Sequence, residues 1–258
     1  MKDRTDRKTL PDALPAEQKE KNNRIKWYGV VWGIGLLIFQ HSMYLLANVI
    51  AGWIGIPPFL PKIEAIDDLI PLVPVFVLPY IWSYFFWAMA PMAVSKCEKR
   101  YFYNFITAYI CSCLFGMLIF IFAPSYMDRA GENLAELAGD SIFGDLLRFV
   151  YGLDGGTIAY NLFPSFHCML STLSYLGVMR RKEIPLWFRI YSLVTALLIY
   201  CSVVFTKQHY VVDIFGGIAI ALVFYFLSTR FQWGRVWEQI ERKFRRKGET
   251  KHEESNFN

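Results

Sequence analysis

Two histidine-containing segments hold the residue types in this chain that could do chemistry. One is the run FPSFH, which ends at His167, and the other is the run TKQHYVVD, which holds His209 and Asp213. Each histidine stands at the edge of a long apolar stretch, where ionisable side chains are costly and usually functional. Asp213 follows His209 by four residues, a spacing that places both side chains on one face of a helix. The carboxylate could therefore orient or charge the imidazole.

These residue types fit phosphoryl transfer without a metal or a cofactor. His209 would attack phosphorus in line and form a phosphohistidine, while Asp213 on its other ring nitrogen fixes the tautomer. His167 would protonate the leaving alkoxide and then deprotonate the incoming acceptor. Phosphoryl transfer depends mostly on positioning and electrostatics. Lys207 and the Ser165 hydroxyl are the nearby donors that could hold the phosphate oxygens.

The composition predicts an all-helical integral membrane protein. Of the 258 residues, 55% are hydrophobic and 19% are charged, whereas a soluble domain averages roughly 45–50% apolar and about 25% charged residues. The apolar runs are long enough to cross a bilayer, which takes roughly 20 residues per helix. Six transmembrane helices are predicted in one domain (27–229), over residues 27–50, 70–94, 101–123, 164–179, 186–205 and 210–229.

The remaining segments are polar. Residues 1–26 are expected to be a disordered segment or a short surface helix, and the glycine-rich residues 124–163 are expected to form short interfacial helices and turns. The basic tail at 230–258 starts with apolar residues at helical spacing, which favours a helix along the membrane surface. The five cysteines are interpreted as packing residues. The net charge of +5 comes mostly from residues that flank the spans, so no nucleic-acid partner is expected.

Charge orients the predicted spans. The loops at 95–100 and 180–189 are basic, as is the tail, whereas the loops at 52–69 and 124–163 are acidic. The positive-inside rule then places both termini in the cytoplasm and the acidic loops outside. It also brings His167 and His209 to the same outer face. We therefore expect a single extracytoplasmic active site, in a protein of the plasma membrane.

The two motifs resemble the second and third signature motifs of the type 2 phosphatidic acid phosphatase (PAP2) superfamily. The matching residues are the run PSFH that ends at His167, and Ser202 followed by His209 and Asp213. The resemblance covers about residues 66–226. It implies a six-helix membrane core with its site on the outer side and a phosphorylated lipid as substrate. It also implies that His209 is the nucleophile, His167 the acid/base and Asp213 the relay partner.

The chain departs from the family pattern where the family grips phosphate. The first motif, lysine and arginine-proline separated by six residues, is not found, and Val203 stands where the third motif has an arginine. Lys207, Arg129 and Arg148 are candidate replacements on the predicted outer side. Each arginine could instead be a surface charge, and Lys207 could be a snorkelling anchor. The weak first motif and the sequence before His167 resemble the branch of inositol phosphorylceramide and sphingomyelin synthases, which transfer a phospho-headgroup to an alcohol.

Structural roles are open for several of these positions. Ser165 could cap the fourth helix, and the histidine–aspartate pair could be an ion pair at a helix end. Asp67 and Asp68 could be loop charges or could lie near the site entrance. Tyr80 belongs to the aromatic second span, for which packing is the first interpretation and a position facing the site the second.

The sequence therefore predicts a lipid phosphatase at the outer leaflet, with the bilayer and a phosphorylated lipid as its partners. A phosphotransferase that uses the same phosphohistidine is the close alternative. A transporter with buried histidines is disfavoured because the chain shows no internal repeat. A catalytically dead scaffold is disfavoured by the intact histidines and aspartate. The identity of the lipid, the acceptor and the oligomeric state are left open.

Overall fold

A computed structural model describes residues 24–243 of the chain, and these are mostly helical. The predictions for residues 1–23 and 244–258 lie outside the described residues. In chain order the elements are α1 (Trp27–Ile54), α2 (Glu64–Asp67), a 3-10 turn (Pro74–Phe76), α3 (Val77–Val94), α4 (Lys99–Phe122), β1 (Tyr126–Asp128), α5 (Leu134–Leu137), α6 (Ile142–Leu153), β2 (Ile158–Tyr160), α7 (Phe166–Val178), α8 (Leu186–Phe205) and α9 (Val211–Phe231).

Five helices are long and apolar enough to cross a membrane. They are α1, α3 with the 3-10 turn before it, α4, α8 and α9, and their bounds lie within a few residues of the predicted spans. The remaining predicted span corresponds to α7, which has 13 residues. At 1.5 Å per residue α7 is only about 20 Å long. A membrane crossing by α7, and with it the count of six, stays a prediction.

The short helix α7 lies at the centre of the bundle. Ten of its 13 residues are buried, and it packs against α3, α4, α8 and α9. Two glycines allow the close approach of its neighbours. A Cβ at Gly116 of α4 would lie 2.4 Å from the ring of Phe166, and one at Gly217 of α9 would lie 2.4 Å from the carbonyl oxygen of Ser165. These contacts fix the start of α7 between α4 and α9.

The outer helices carry apolar side chains on their exposed faces. On α1, Val31, Ile38 and Leu46 are exposed, and on α9 so are Phe215 and Phe226. A soluble protein would bury most side chains of this kind, because burial removes their apolar area from water. The pattern is that of helices that face lipid, so the described part of the chain is compatible with an integral membrane protein.

Residues 124–163 form a small layer over one end of the bundle, called here the cap layer. β1 pairs antiparallel with β2, with Met127 opposite Ala159. Both side chains are buried together with Leu147 of α6 and with Val77 and Tyr80 of α3. The sequence predicted short helices and turns here, and α5 and α6 are present. It did not predict the two strands, because three residues leave no periodic pattern.

The chain after α9 folds back onto α4. The backbone N–H of Gly234 donates to Asn104 Oδ1 at 2.7 Å, and Trp237 Nε1 donates to Thr107 Oγ1 at 3.0 Å. Residues 235–243 are helical, as the apolar spacing indicated. Their position along a membrane surface stays a prediction.

Candidate active site

His209 lies in the turn that joins α8 to α9. Lys207 in this turn has a φ of 49°, in the left-handed region, which reverses the chain. The backbone N–H groups of Gln208 and His209 both donate to the carbonyl oxygen of Val203, each at 2.9 Å. α9 begins at Val211. The backbone therefore holds His209 in place just before the helix starts.

Asp213 lies in the first turn of α9 and reaches back to His209. Its Oδ2 accepts from the backbone N–H of Tyr210 at 2.9 Å and lies 3.3 Å from His209 Nδ1. The first of these bonds belongs to a capping box at the helix N-terminus, where a negative charge is also stabilised by the helix dipole. The spacing predicted a pair on one helix face. The structure joins the two residues through the cap instead, and His209 stands outside the helix.

His167 lies in the first turn of α7 against aromatic side chains of α3. Its ring stacks on Tyr80 with centroids 4.1 Å apart, and it meets Trp87 edge-on at 5.0 Å and Tyr84 at 5.8 Å. Among residues 24–243, its buried Nε2 has no hydrogen-bond partner. A buried ring nitrogen without a partner is costly in a purely structural role. Tyr80 is a buried packing residue, as its first interpretation held, and the rings it packs against include that of His167.

The two histidines are neighbours although they come from separate helices. Their ring centroids are 6.0 Å apart. The backbone N–H of Ser165 donates to the carbonyl oxygen of Asp213 at 3.0 Å, which ties the start of α7 to the first turn of α9. Asp213 is fully buried, while the side chain of His209 is 10% exposed. The arrangement gives one histidine oriented by a carboxylate and a second within reach of the same small ligand.

Ser165 is the N-cap of α7. Its Oγ accepts from the backbone N–H of Cys168 at 3.3 Å, and the residue is fully buried. The capping interpretation is therefore correct for this residue. Contact between the Ser165 hydroxyl and a phosphate oxygen remains a prediction, and the capping bond uses the hydroxyl as an acceptor, so its proton is still available.

Arg129 is buried beside the turn that holds His209. Its Nη2 contacts Oε1 of Gln208 and pairs with Asp154 Oδ2 at 2.9 Å. Its Nη1 donates to the carbonyl oxygens of Tyr151 and Asp154 at 3.3 and 3.0 Å. Within the described residues, Arg129 Nε and Gln208 Nε2 are buried without a partner. Two polar donors with unused capacity thus lie at the turn that holds His209, one on Gln208 and one on the guanidinium that contacts Gln208.

Arg148 occupies a different place. It lies on α6, where its guanidinium donates to the carbonyl oxygens of Ala135 and Gly139 at 3.2 and 3.0 Å and pairs with the exposed carboxylate of Asp145 at 2.6 Å. These contacts hold α5 and α6 together inside the cap layer. The structure does not bring Arg148 into contact with the histidine pair.

Lys207 points to the loop around α2. Its Nζ donates to the carbonyl oxygen of Asp67 at 2.8 Å. Burial lowers the pKa of the Lys207 ammonium below its usual value, because a charge is less stable away from water. The residue lies two positions before His209, within reach of a ligand on that histidine if its side chain leaves the carbonyl.

Two further residues hold the histidine turn: Asp67, for which the sequence left a loop charge or a place near the site entrance open, and Gln208, which sequence reasoning missed. Asp67 is 3% exposed, and its carboxylate accepts from the backbone N–H groups of Ile63 and Val211 at 2.7 and 2.9 Å. It therefore fixes the start of α9, and the loop-charge interpretation is wrong for it. Asp68 is the exposed partner of Lys62. Gln208 was missed because a glutamine in a turn gives no signal of its contact with Arg129.

The comparisons with known proteins give one match. The family model described as the PAP2 superfamily matches residues 61–227, which runs from the loop before α2 to within α9 and includes both histidines. No curated protein matches the chain, and no solved structure matches it.

Proposed function

The chain belongs to the PAP2 superfamily, and from this premise we propose that it is a membrane lipid phosphatase that works through a phosphohistidine. Membership in the family supports a phosphatase-type enzyme. The observation that carries the finer proposal is the pairing of His209 with Asp213, at 3.3 Å, beside His167, whose Nε2 has no partner among residues 24–243.

In the first step, His209 Nε2 attacks the phosphorus of a lipid phosphate. Nδ1 faces Asp213, so the carboxylate holds the proton on that nitrogen and leaves the Nε2 lone pair free. A nitrogen–phosphorus bond forms as the bond from phosphorus to the lipid oxygen breaks. His167, protonated in the complex with the anionic substrate, gives its proton to that oxygen, and the lipid alcohol leaves.

In the second step, water attacks the phosphohistidine. His167 is now neutral and takes a proton from the water as the new oxygen–phosphorus bond forms and the nitrogen–phosphorus bond breaks. Inorganic phosphate is released, and both histidines return to their starting protonation states. Neither step requires a metal ion, because protein donors neutralise the charge on the phosphoryl oxygens.

Arg129 is the residue we propose in place of the missing family arginines. Its guanidinium is buried and contacts Gln208 of the histidine turn, and its Nε has no partner in the part of the chain that the structure describes. Lys207 and the Ser165 hydroxyl are proposed as further donors. Arg148 was predicted in the same role, but its bonds within the cap layer make it the weakest of the four.

We propose that the site faces the outer leaflet of the plasma membrane, with both termini in the cytoplasm. The loops at the opposite end of the bundle are basic, and the cap layer over the histidines is acidic. A cysteine placed at Gly156 of the cap layer should react with an impermeant reagent on intact cells. Labelling only after lysis would reverse the orientation.

A phosphotransferase with a lipid alcohol as acceptor is the second candidate. The observation that favours it is the enclosure of His167 by Tyr80, Tyr84 and Trp87. Aromatic walls around the acid/base restrict water more than they restrict the apolar end of a lipid alcohol. This outcome would agree with the resemblance to the synthase branch.

One experiment tests both candidates. Purified protein in detergent is given a lipid phosphate labelled at phosphorus, with chelator present and with or without a lipid alcohol. We expect metal-independent release of phosphate, inhibition by vanadate, and loss of turnover in His209→Ala. A new labelled phospholipid would select the transferase. Full activity of folded His209→Ala would contradict the mechanism for either acceptor.

A further inference from the structure

A cavity of about 470 Å³ lies beside the candidate active site, at the end of the bundle that the cap layer covers. One wall is the last part of α1, another is the loop that follows it, and the third is the cap layer near Asp154 and β2. Its volume falls in the range of small-molecule sites, roughly 300–1,000 Å³. None of the three catalytic candidates, His167, His209 or Asp213, lines it.

The cavity lining has an apolar part and a polar part. Leu45, Ile56 and Leu153 belong to the apolar part, along with prolines of the loop after α1. Trp53, the residue after the lining residue Gly52, is 83% exposed. Exposed tryptophans are common where a helix meets the membrane interface. The apolar part is therefore suited to the first part of a lipid chain.

The polar part of the lining consists of hydrogen-bonding groups, one of which has an unused acceptor within residues 24–243. The Tyr44 hydroxyl donates to Asp154 Oδ1 at 2.9 Å, and Asn161 Nδ2 contacts Asn48 Oδ1. Asn161 is 4% exposed, and within residues 24–243 its Oδ1 is buried without a partner. A buried acceptor of this kind is expensive to leave unpaired. A ligand that donates a hydrogen bond would satisfy the Asn161 Oδ1 acceptor.

We propose that this cavity binds the uncharged, hydroxyl-bearing end of a membrane lipid, of the diacylglycerol type. A hydroxyl can donate to Asn161 Oδ1 and accept from its neighbours. An anionic headgroup is disfavoured because the cavity lining includes no lysine, arginine or histidine. A quaternary ammonium is disfavoured because it has no proton to donate and because Asp154 already pairs with Arg129 at 2.9 Å.

The cavity is connected to the active site by that ion pair. Asp154 lines the cavity and holds Arg129, and Arg129 contacts Gln208, the residue before His209. A lipid hydroxyl at the polar part of the lining is thus separated from the histidine turn by the contacts of Asp154 with Arg129 and of Arg129 with Gln208. The site is placed to sense the neutral lipid through the position of the guanidinium.

Photolabelling tests the proposal without any need for turnover. Purified protein in nanodiscs is exposed to a diacylglycerol that carries a photoactivatable group near the glycerol, and the labelled peptides are mapped. Gly52→Phe fills the cavity, since Gly52 lines it and its Cβ position is open; Gly35→Phe on the same helix is the matched control, also open but outside the cavity. The same measurement is made in the His209→Ala protein.

We expect labelling at the end of α1 that unlabelled diacylglycerol displaces and lysophosphatidylcholine does not. Gly52→Phe should reduce it by about tenfold, because a side chain that overfills a site is accommodated only with strain, whereas Gly35→Phe should not. Equal loss in both variants, or no loss in Gly52→Phe, would overturn the site. Displacement by lysophosphatidylcholine would overturn the headgroup assignment. Retained labelling in the His209→Ala background separates this result from any failure of the catalytic proposal.

Discussion

Replacing Asp67 with alanine should damage both the fold and the site. The Asp67 carboxylate accepts two backbone N–H bonds, from Ile63 and Val211, and is 3% exposed. Alanine would leave two part-buried backbone N–H groups without their charged acceptor, at about 1–3 kcal/mol each. The expected loss in the free energy of unfolding is therefore roughly 2–6 kcal/mol. Because Val211 is the first residue of α9, turnover should fall as well, through loosened geometry of the histidine turn.

Asp68→Ala is the matched control for this change. The Asp68 side chain is 57% exposed and pairs with Lys62 at 2.8 Å, and an exposed ion pair of this kind contributes about 0–1 kcal/mol. Denaturant titration in detergent measures both variants, and phosphate release is assayed at a temperature where each is folded. If the two adjacent aspartates cost the same within about 0.5 kcal/mol, the anchoring role assigned to Asp67 is refuted.

Three further predictions concern the candidate site. Asp213→Asn should lower kcat by about 10²–10⁴-fold with a smaller change in KM, because the amide cannot hold the His209 tautomer; an unchanged kcat would exclude the relay role. Arg129→Lys should lower kcat/KM at least about tenfold, since lysine loses the planar fork, whereas Arg148→Lys should stay within about twofold; equal effects would place the phosphate elsewhere. Burial lowers the pKa of Lys207, so its charge is present at low pH and is lost on the alkaline side earlier than for a free lysine. If this ammonium binds phosphate, Lys207→Arg should move the alkaline limb of the activity profile to higher pH, and an unmoved limb would remove Lys207 from the site.

The sequence was informative wherever periodicity or charge is repeated along the chain. The apolar runs located the long helices to within a few residues, because a span needs a fixed length. The loop charges brought His167 and His209 to one end of the bundle, where the structure places their rings 6.0 Å apart. The relation between His209 and Asp213 was also visible, since the two residues are only four positions apart in the chain.

The sequence was uninformative where contacts between distant residues decide the role of a side chain. Arg129 and Arg148 cannot be told apart from the sequence of the acidic loop. The fold of this loop buries Arg129 beside the histidine turn and leaves Arg148 within the cap layer. Asp67 and Asp68 are adjacent carboxylates in different surroundings. Asp67 is bonded to the start of α9, whereas Asp68 is exposed to water. Contacts between residues far apart in the chain leave no local pattern.

The shortness of α7 has a consequence for the depth at which a substrate must sit. Phe166, its first residue, stacks on Phe120 and lies against Gly116. Gly116 is six residues before the end of α4 at Phe122, so the adjacent histidine lies about 9 Å below the end of that helix at 1.5 Å per residue. Under the proposed function, and with the end of α4 at the membrane surface, a lipid would have to lower its phosphorus by about that distance below the neighbouring headgroups. The bundle would then select by size, because a bare phosphate descends with less dehydration than a large headgroup.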